Sequence, residues 1–191
     1  MGAEAVPPAA LLVRDFVNTY EPQVDDESLT TSDALRDWFV ERRLLPGDAR
    51  LRPSDLTLAV AVREGLRAIL LGHAGHPTDP AATQALDRVL ADVPVRVAMG
   101  GGGFRLVSVH DTAFGTATAG LLDAIRQCRE EHTWTRLKVC DRATCRWAYY
   151  DASRNQARRW CSMAGCGNYV KMRRAYAART GRGVSPSDPS P

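Results

Sequence analysis

The sequence predicts an α+β fold in two parts. A mostly helical N-terminal domain with one β-hairpin is expected over residues 11–132, a small hairpin-plus-helix module over 133–180, and a disordered tail over 181–191. Three observations predict this. Apolar residues recur at helical spacing in successive stretches before residue 130, interrupted by one short alternating run. Four of the five cysteines fall within residues 140–166. The composition also shifts near residues 132–138, since residues 134–176 hold three of the four Trp and four of the five Tyr.

Residues 1–10 read as a frayed leader. Leu12, Val13, Phe16, Val17 and Tyr20 form a helical stripe, in a run short enough to be a strand as well. Thr31 or Ser32 caps a second helix with Leu35, Trp38 and Phe39 inward, ended by Leu44-Leu45-Pro46-Gly47. Pro53-Ser54-Asp55 opens a long third helix, with Leu56, Val60, Leu66, Ile69 and Leu70 as its apolar positions and an end around Gly72–Gly75. Asp79 as N-cap and Pro80 as first helical residue start a fourth, with Leu86, Val89 and Leu90 inward. The period then changes. Val93, Val95 and Val97 alternate with Pro94 and Arg96, and Phe104–Val109 reads as the return strand of a hairpin. The four glycines at 100–103 read as its turn rather than a phosphate cradle, because neither Lys-Ser/Thr nor a helix start follows them. Asp111 or Thr112 caps a fifth helix on which Phe114, Thr118, Leu121, Ile125 and Cys128 share one face, so Cys128 reads as a small core hydrophobe.

With 191 residues, 45% of them apolar and 25% charged, the chain has an ordinary globular composition, which excludes fibrous, wholly disordered and disulfide-dense classes. No apolar run reaches the ~18 residues of a membrane span. The start has neither a basic region nor an apolar stretch of signal-peptide type, so a cytoplasmic location is expected, where clustered thiols stay reduced. The net charge of +3 is split. Met1–Val139 carries 15 Lys+Arg against 19 Asp+Glu, net −4, whereas Cys140–Arg182 carries 10 against 2, net +8. An acidic body bearing a compact basic segment points to a polyanionic partner for that segment, against the plainer reading of a solvated basic surface. Arg outnumbers Lys 23 to 2, so single arginines carry little weight and clusters carry more.

Cys140, Cys145, Cys161 and Cys166 follow the spacing C-x4-C-x15-C-x4-C. A close pair can put two sulfurs on one ion through a tight turn, and two pairs complete the four-thiolate shell that zinc favours. Four cysteines close that shell and leave no position for water, so the expected zinc is structural rather than catalytic; a redox thiol cluster is the rival. A segment of 43 residues is also near the size where an apolar core alone fails to hold a fold. Arg146–Asp151 is a strand candidate, Ser153–Gln156 supplies turn residues, and Arg158-Arg159-Trp160 returns towards Cys161, a hairpin that would bring Cys145 and Cys161 together. Ser162 can cap a helix running from Met163 or Asn168 to Ala178. Knuckle, hairpin and helix in this order make a treble-clef-like layout. His73 and His76 read as surface histidines, and His132 as an alternative ligand.

Arg154, Arg158 and Arg159 fall on the expected hairpin, and Lys171, Arg173, Arg174 and Arg179 on the expected helix. Of these, Arg154, Arg158, Arg159, Lys171, Arg173 and Arg174 are the candidate nucleic-acid contacts, since such groups neutralise phosphates and an Arg on a helix reads guanine edges. Trp147, Trp160 and the tyrosines either stack on bases or form most of the core of so small a module.

Three runs, Arg136–Cys140, Cys145–Asn155 and Arg158–Asn168, strongly resemble the CGNR zinc-finger family of bacteria. The upstream body resembles the ABATE domain that usually precedes that finger, on the cue Asp15-Phe16-Val17-Asn18-Thr19. The resemblance implies a bacterial transcription regulator with the finger as zinc and DNA binder, its four cysteines mapping onto Cys140, Cys145, Cys161 and Cys166. One residue departs from the pattern: the family motif ends in Arg, whereas this chain reads Cys166-Gly167-Asn168-Tyr169.

The expected function is therefore duplex-DNA binding through a zinc finger, with the N-terminal domain sensing a small-molecule effector or forming a homodimer. A zinc-stabilised module for RNA or protein is the alternative. No nucleophile–base pair, open metal site or nucleotide loop supports an enzyme.

Overall fold

The computed structural model describes residues 5–100 and 103–180. Its core is built on three helices. The first, α1 (Pro8–Val17), starts where two prolines pre-set a helical entry, and it buries Ala9, Ala10, Val13, Phe16 and Val17. Residues 8–10 are thus helix rather than leader, with Ala9 and Ala10 in the core: the alanines extend the Val13/Phe16 stripe one turn back with side chains too small to register as apolar signal. Residues 1–4 lie outside the described residues. A two-residue pairing, β1 (Tyr20–Glu21) with β2 (Asp26–Glu27), follows and had no cue in the sequence.

Thr31 accepts the Ala34 amide at 3.0 Å and so caps α2 (Ser32–Glu41), whose Leu35, Trp38 and Phe39 are buried. Trp38 and Phe39 meet Phe16 of α1 at ring separations of 5.3 and 6.2 Å. The helix stops before the expected Leu44–Gly47 signal. Leu44 N–H reaches back to Phe39 O at 2.9 Å and Arg43 N–H to Val40 O at 2.9 Å, with Arg43 at φ +58°. That is the hydrogen-bond pattern of a Schellman stop, with arginine where glycine is usual.

The long helix α3 (Pro53–His73) buries Ala59, Val62, Leu66 and Leu70, and on the same side Asp55, Arg63 and Arg67. Asp79 caps α4 (Pro80–Ala91) by accepting the Ala81 amide at 2.9 Å. The two helices cross closely at Gly65, where a Cβ would lie 2.4 Å from Leu86 Cβ.

Strands β3 (Val95–Gly100) and β4 (Gly103–Ser108) form the expected antiparallel hairpin, from Val95 opposite Ser108 to Gly100 opposite Gly103. The flanking glycines therefore belong to a strand ladder; the inner two lie outside the described residues. Thr112 caps α5 (Ala113–Glu130), on which Phe114, Thr118, Leu121 and Cys128 are buried as the spacing predicts. Asp123 of α5 accepts the outward Leu106 amide at 2.8 Å and so ties the hairpin to the helix.

A short turn at Trp134–Arg136 leads into β5 (Leu137–Val139), which pairs antiparallel with β6 (Ala148–Tyr150). Trp134, Leu137, Val139, Ala148 and Tyr150 join the same apolar core as α1, α3 and α5. Here the strand pairing differs from expectation. The partner of β6 is the strand before Cys140, not Arg158–Trp160. The C-x4-C segment is the loop of this hairpin, and Cys140 N–H to Trp147 O at 2.9 Å extends its ladder. Residues 151–161 return without strand structure, pinned by the fully buried Asp151, which accepts Ser153 N, Arg158 N and Lys138 Nζ at 2.9–3.0 Å. A wide turn at Met163–Gly167, capped by Ser162, passes directly into α6 (Asn168–Thr180).

Candidate metal centre and the basic face beside it

Hairpin loop and wide turn each carry one cysteine pair. Cys140 follows β5 directly, Cys145 lies in the loop, Cys161 precedes the Ser162 cap, and Cys166 sits in the wide turn. All four Sγ atoms lie within 4.8 Å of one another, with Cys140, Cys145 and Cys166 buried. The Cys145–Cys161 and Cys161–Cys166 Sγ separations are 3.7 and 3.8 Å. Disulfides need about 2.05 Å. A tetrahedron with Zn–S bonds of about 2.3 Å has edges of about 3.8 Å. The donor set and its spacing therefore fit a four-coordinate, soft-ligand ion. Electrostatics agree. Cys140 is held strongly towards the thiolate by hydrogen bonds from the Cys145 and Cys161 thiols, and those two are pushed up, first by that same sharing with Cys140. Four thiolates cannot coexist at this spacing without a cation between them.

The knuckle is fastened to the body by side chains to which sequence reading gave no such role. Asn18, just past α1, makes a two-way contact with β6: its Nδ2 donates to Ala148 O at 2.9 Å and its Oδ1 accepts Ala148 N at 2.8 Å. Arg67 of α3 is 8% exposed and donates to Arg146 O at 2.9 Å, Val17 O at 2.6 Å and Tyr20 O at 3.0 Å. The two histidines are not free at the surface. His73 is packed edge-on against Trp134 and bonded to Leu137 O at 2.9 Å, and burial pushes its pKa down. His76 pairs with Asp141 at 2.7 Å, beside the first metal-site cysteine. Their signal was the helix-end position facing forward in the chain, which only the return of β5 onto α3 turns into a contact. His132, at φ +55°, stands outside the sulfur cluster.

The six candidate contact residues divide in two. Arg154, Lys171 and Arg174 are exposed and make no ion pair among the described residues. Arg158 and Arg159 are exposed too, but their guanidinium groups are engaged within the module. Arg158 donates to Trp160 O and Cys161 O and lies over Tyr149, and Arg159 pairs with Asp141 at 2.6 Å. Arg173 is half-buried and bonds Tyr169 Oη at 3.3 Å. Tyr169 itself stacks under Arg142 at 3.8 Å. Tyr149 and Tyr150 are buried, and Trp147 and Trp160 pack against the cysteines, so most of the aromatic residues are core. The α6 helix buries none of its residues and rests on the metal-site turn alone among neighbouring elements in extensive contact.

Among the described residues no helix is long and apolar enough to cross a membrane. The sequence matches the ABATE family, described as "Putative stress-induced transcription regulator", over residues 11–128, and the CGNR zinc finger over residues 136–179. No curated protein matches it.

Proposed function

We propose, for a chain that belongs to the ABATE family and carries a CGNR zinc finger behind it, a zinc-dependent regulator that binds duplex DNA. The observation that carries this reading is the position of α6. A helix with Lys171 and Arg174 exposed springs from the turn that holds Cys166, and none of its described residues is buried. Zinc, when bound, cross-links the knuckle and the turn. The protein's own groups do the rest: Asp151 pins the return segment, Ser162 starts the turn, and α6 presents its cations at a fixed angle to the body. Even with the −2 formal charge of a four-thiolate zinc site, the net +8 segment stays at about +6. The body supplies sensing or dimerisation, no step of chemistry is assigned to it, and the site of action is the cytoplasm.

Elemental analysis or native mass spectrometry should find one zinc per chain, and Cys161→Ser should release it. Duplex binding should weaken steeply with salt, each phosphate contact adding about 0.9 to the slope of log K against log salt. Replacing Arg154, Lys171 and Arg174 together by Ala should lower that slope by about 2–3. Genome-wide mapping of bound DNA with the intact protein then gives the target. A metal-free chain with an ordered finger, or equal retention of duplex, single strand and RNA, overturns the reading. One feature favours a protein partner instead: Met163, Met172 and Tyr176 are 54%, 72% and 56% exposed beside the basic groups. Loss of binding on Met172→Ser with an unchanged salt slope would mark that case.

A further inference from the structure

The cleft between α1, the end of α2, β4 and α5 has a volume of about 650 Å³. That is within the range of about 300–1,000 Å³ typical of small-molecule sites. Leu11, Leu12, Leu44, Leu106, Ala119 and Ala124 give it apolar walls. Its charges are unbalanced. Asp15 is tied to Arg14 at 2.7 Å. Asp123 accepts from Leu106 N, Arg126 Nε and Gln127 Nε2, and Arg126 holds it in the carboxylate form against the cost of burial. Arg42 pairs with Glu41 and covers Trp38. Arg43 and Arg105 also line the cleft, both are exposed, and neither side chain has an ion pair or hydrogen bond among the described residues.

We propose that this cleft binds a small organic anion, its carboxylate or phosphate head between Arg43 and Arg105 and its apolar body along the leucines. Backbone geometry supports a role for Arg43 in particular. It holds φ +58° at the stop of α2, a conformation that glycine adopts without strain and that an L side chain adopts at a cost. The two hydrogen bonds of the helix stop would form equally with glycine there, and the Arg43 side chain has no partner among the described residues. The same stop occupies the Phe39 and Val40 carbonyls. The surrounding Met1–Val139 segment is net −4, which disfavours a polyanion and leaves a compact anion as the match for two isolated arginines. The cleft is the input of the sensing role proposed above and rests on that reading only for its regulatory meaning; α1 lines it and leads directly to Asn18, which grips β6.

The test uses the zinc-loaded full chain without DNA, with 1-anilinonaphthalene-8-sulfonate as fluorescent probe. Saturable one-to-one binding is expected, displaced by decanoate or decyl phosphate and not by decanol; the stronger of the two competitors identifies the head group. Arg105→Ala and Arg43→Gly should each weaken probe binding about tenfold or more. Arg43→Gly should at the same time raise Tm by about 2 °C, which separates lost binding from lost folding. Non-saturable binding, equal displacement by decanol, or parental affinity in both variants overturns the site. A chain that binds the anion but no DNA overturns the regulatory reading and leaves the site standing; one that binds DNA but no anion does the reverse.

Discussion

Arg67 shows how much one side chain can do when its donors are all used. Its guanidinium is taken out of water, which lowers its pKa, and Glu64 at 2.9 Å compensates. It satisfies backbone carbonyls from α1, from the β1 strand and from the loop between Cys140 and β6. Arg67→Met should cost about 3–5 kcal/mol in chemical denaturation, because it strands those buried acceptors and leaves Glu64 with Arg63 alone as its cationic partner. Arg67→Lys should recover only part, since an ammonium lacks the planar fork. His73 gives a pH signature. Burial depresses its folded pKa below the usual 6.5, so the unfolded chain binds a proton more readily. Its contribution is complete above about pH 6.5 and falls away as pH drops towards the folded pKa. Between pH 7.5 and 5.5 the parent should therefore lose more Tm than His73→Gln. Neither residue was legible in the sequence. In a chain with 23 arginines an inward Arg looks like an outward one, and its burial is decided by carbonyls more than 40 residues away.

At the scale of elements the sequence was more informative, for physical reasons. Caps are local, so Asp79 could be read, and Thr31 and Thr112 each as one of two adjacent candidates, from their side chains and the apolar stripes that follow. The glycine-bridged hairpin and the Cys quartet are likewise short-range patterns. Pairing between distant strands is not. The residues of β6 look the same whether they pair with Leu137–Val139 or with Arg158–Trp160, and what selects β5 is the shared apolar face lying on α3. Residues 8–10 were missed because alanine buries little area, although two of them, Ala9 and Ala10, are core. The α3–α4 crossing gives a clean test. Gly65→Ala would place a methyl 2.4 Å from Leu86 Cβ and 3.1 Å from Ala82 O, forcing the helices apart at a cost of about 1–3 kcal/mol, read as a lower Tm. Adding Leu86→Ala should not restore the spacing, because alanine keeps the Cβ that the new methyl meets.

For the molecule as a whole, the metal site and the apolar core hold different parts of one continuous structure. Stripping the metal with a strong chelator should expose amides in the knuckle, the wide turn and α6 to hydrogen exchange. The amides of β5 and β6 should stay protected, because Asn18 and His73 hold those strands, and the apolar core receives them, without any ion. Protection lost equally throughout residues 137–180 would mean that the metal alone organises the C-terminal part.

That β5 and β6 lie on the body has a consequence for inheritance. A fragment excised after Glu131 would lift Trp134, Leu137, Val139, Ala148 and Tyr150 off their seat and show water a bare oily face. Transplanting such a fragment onto a foreign body should give precipitate unless the recipient supplies the matching bed. The two halves are therefore bound to drift together: a change in the size of one of these five side chains asks for an answering change on α1, α3 or α5.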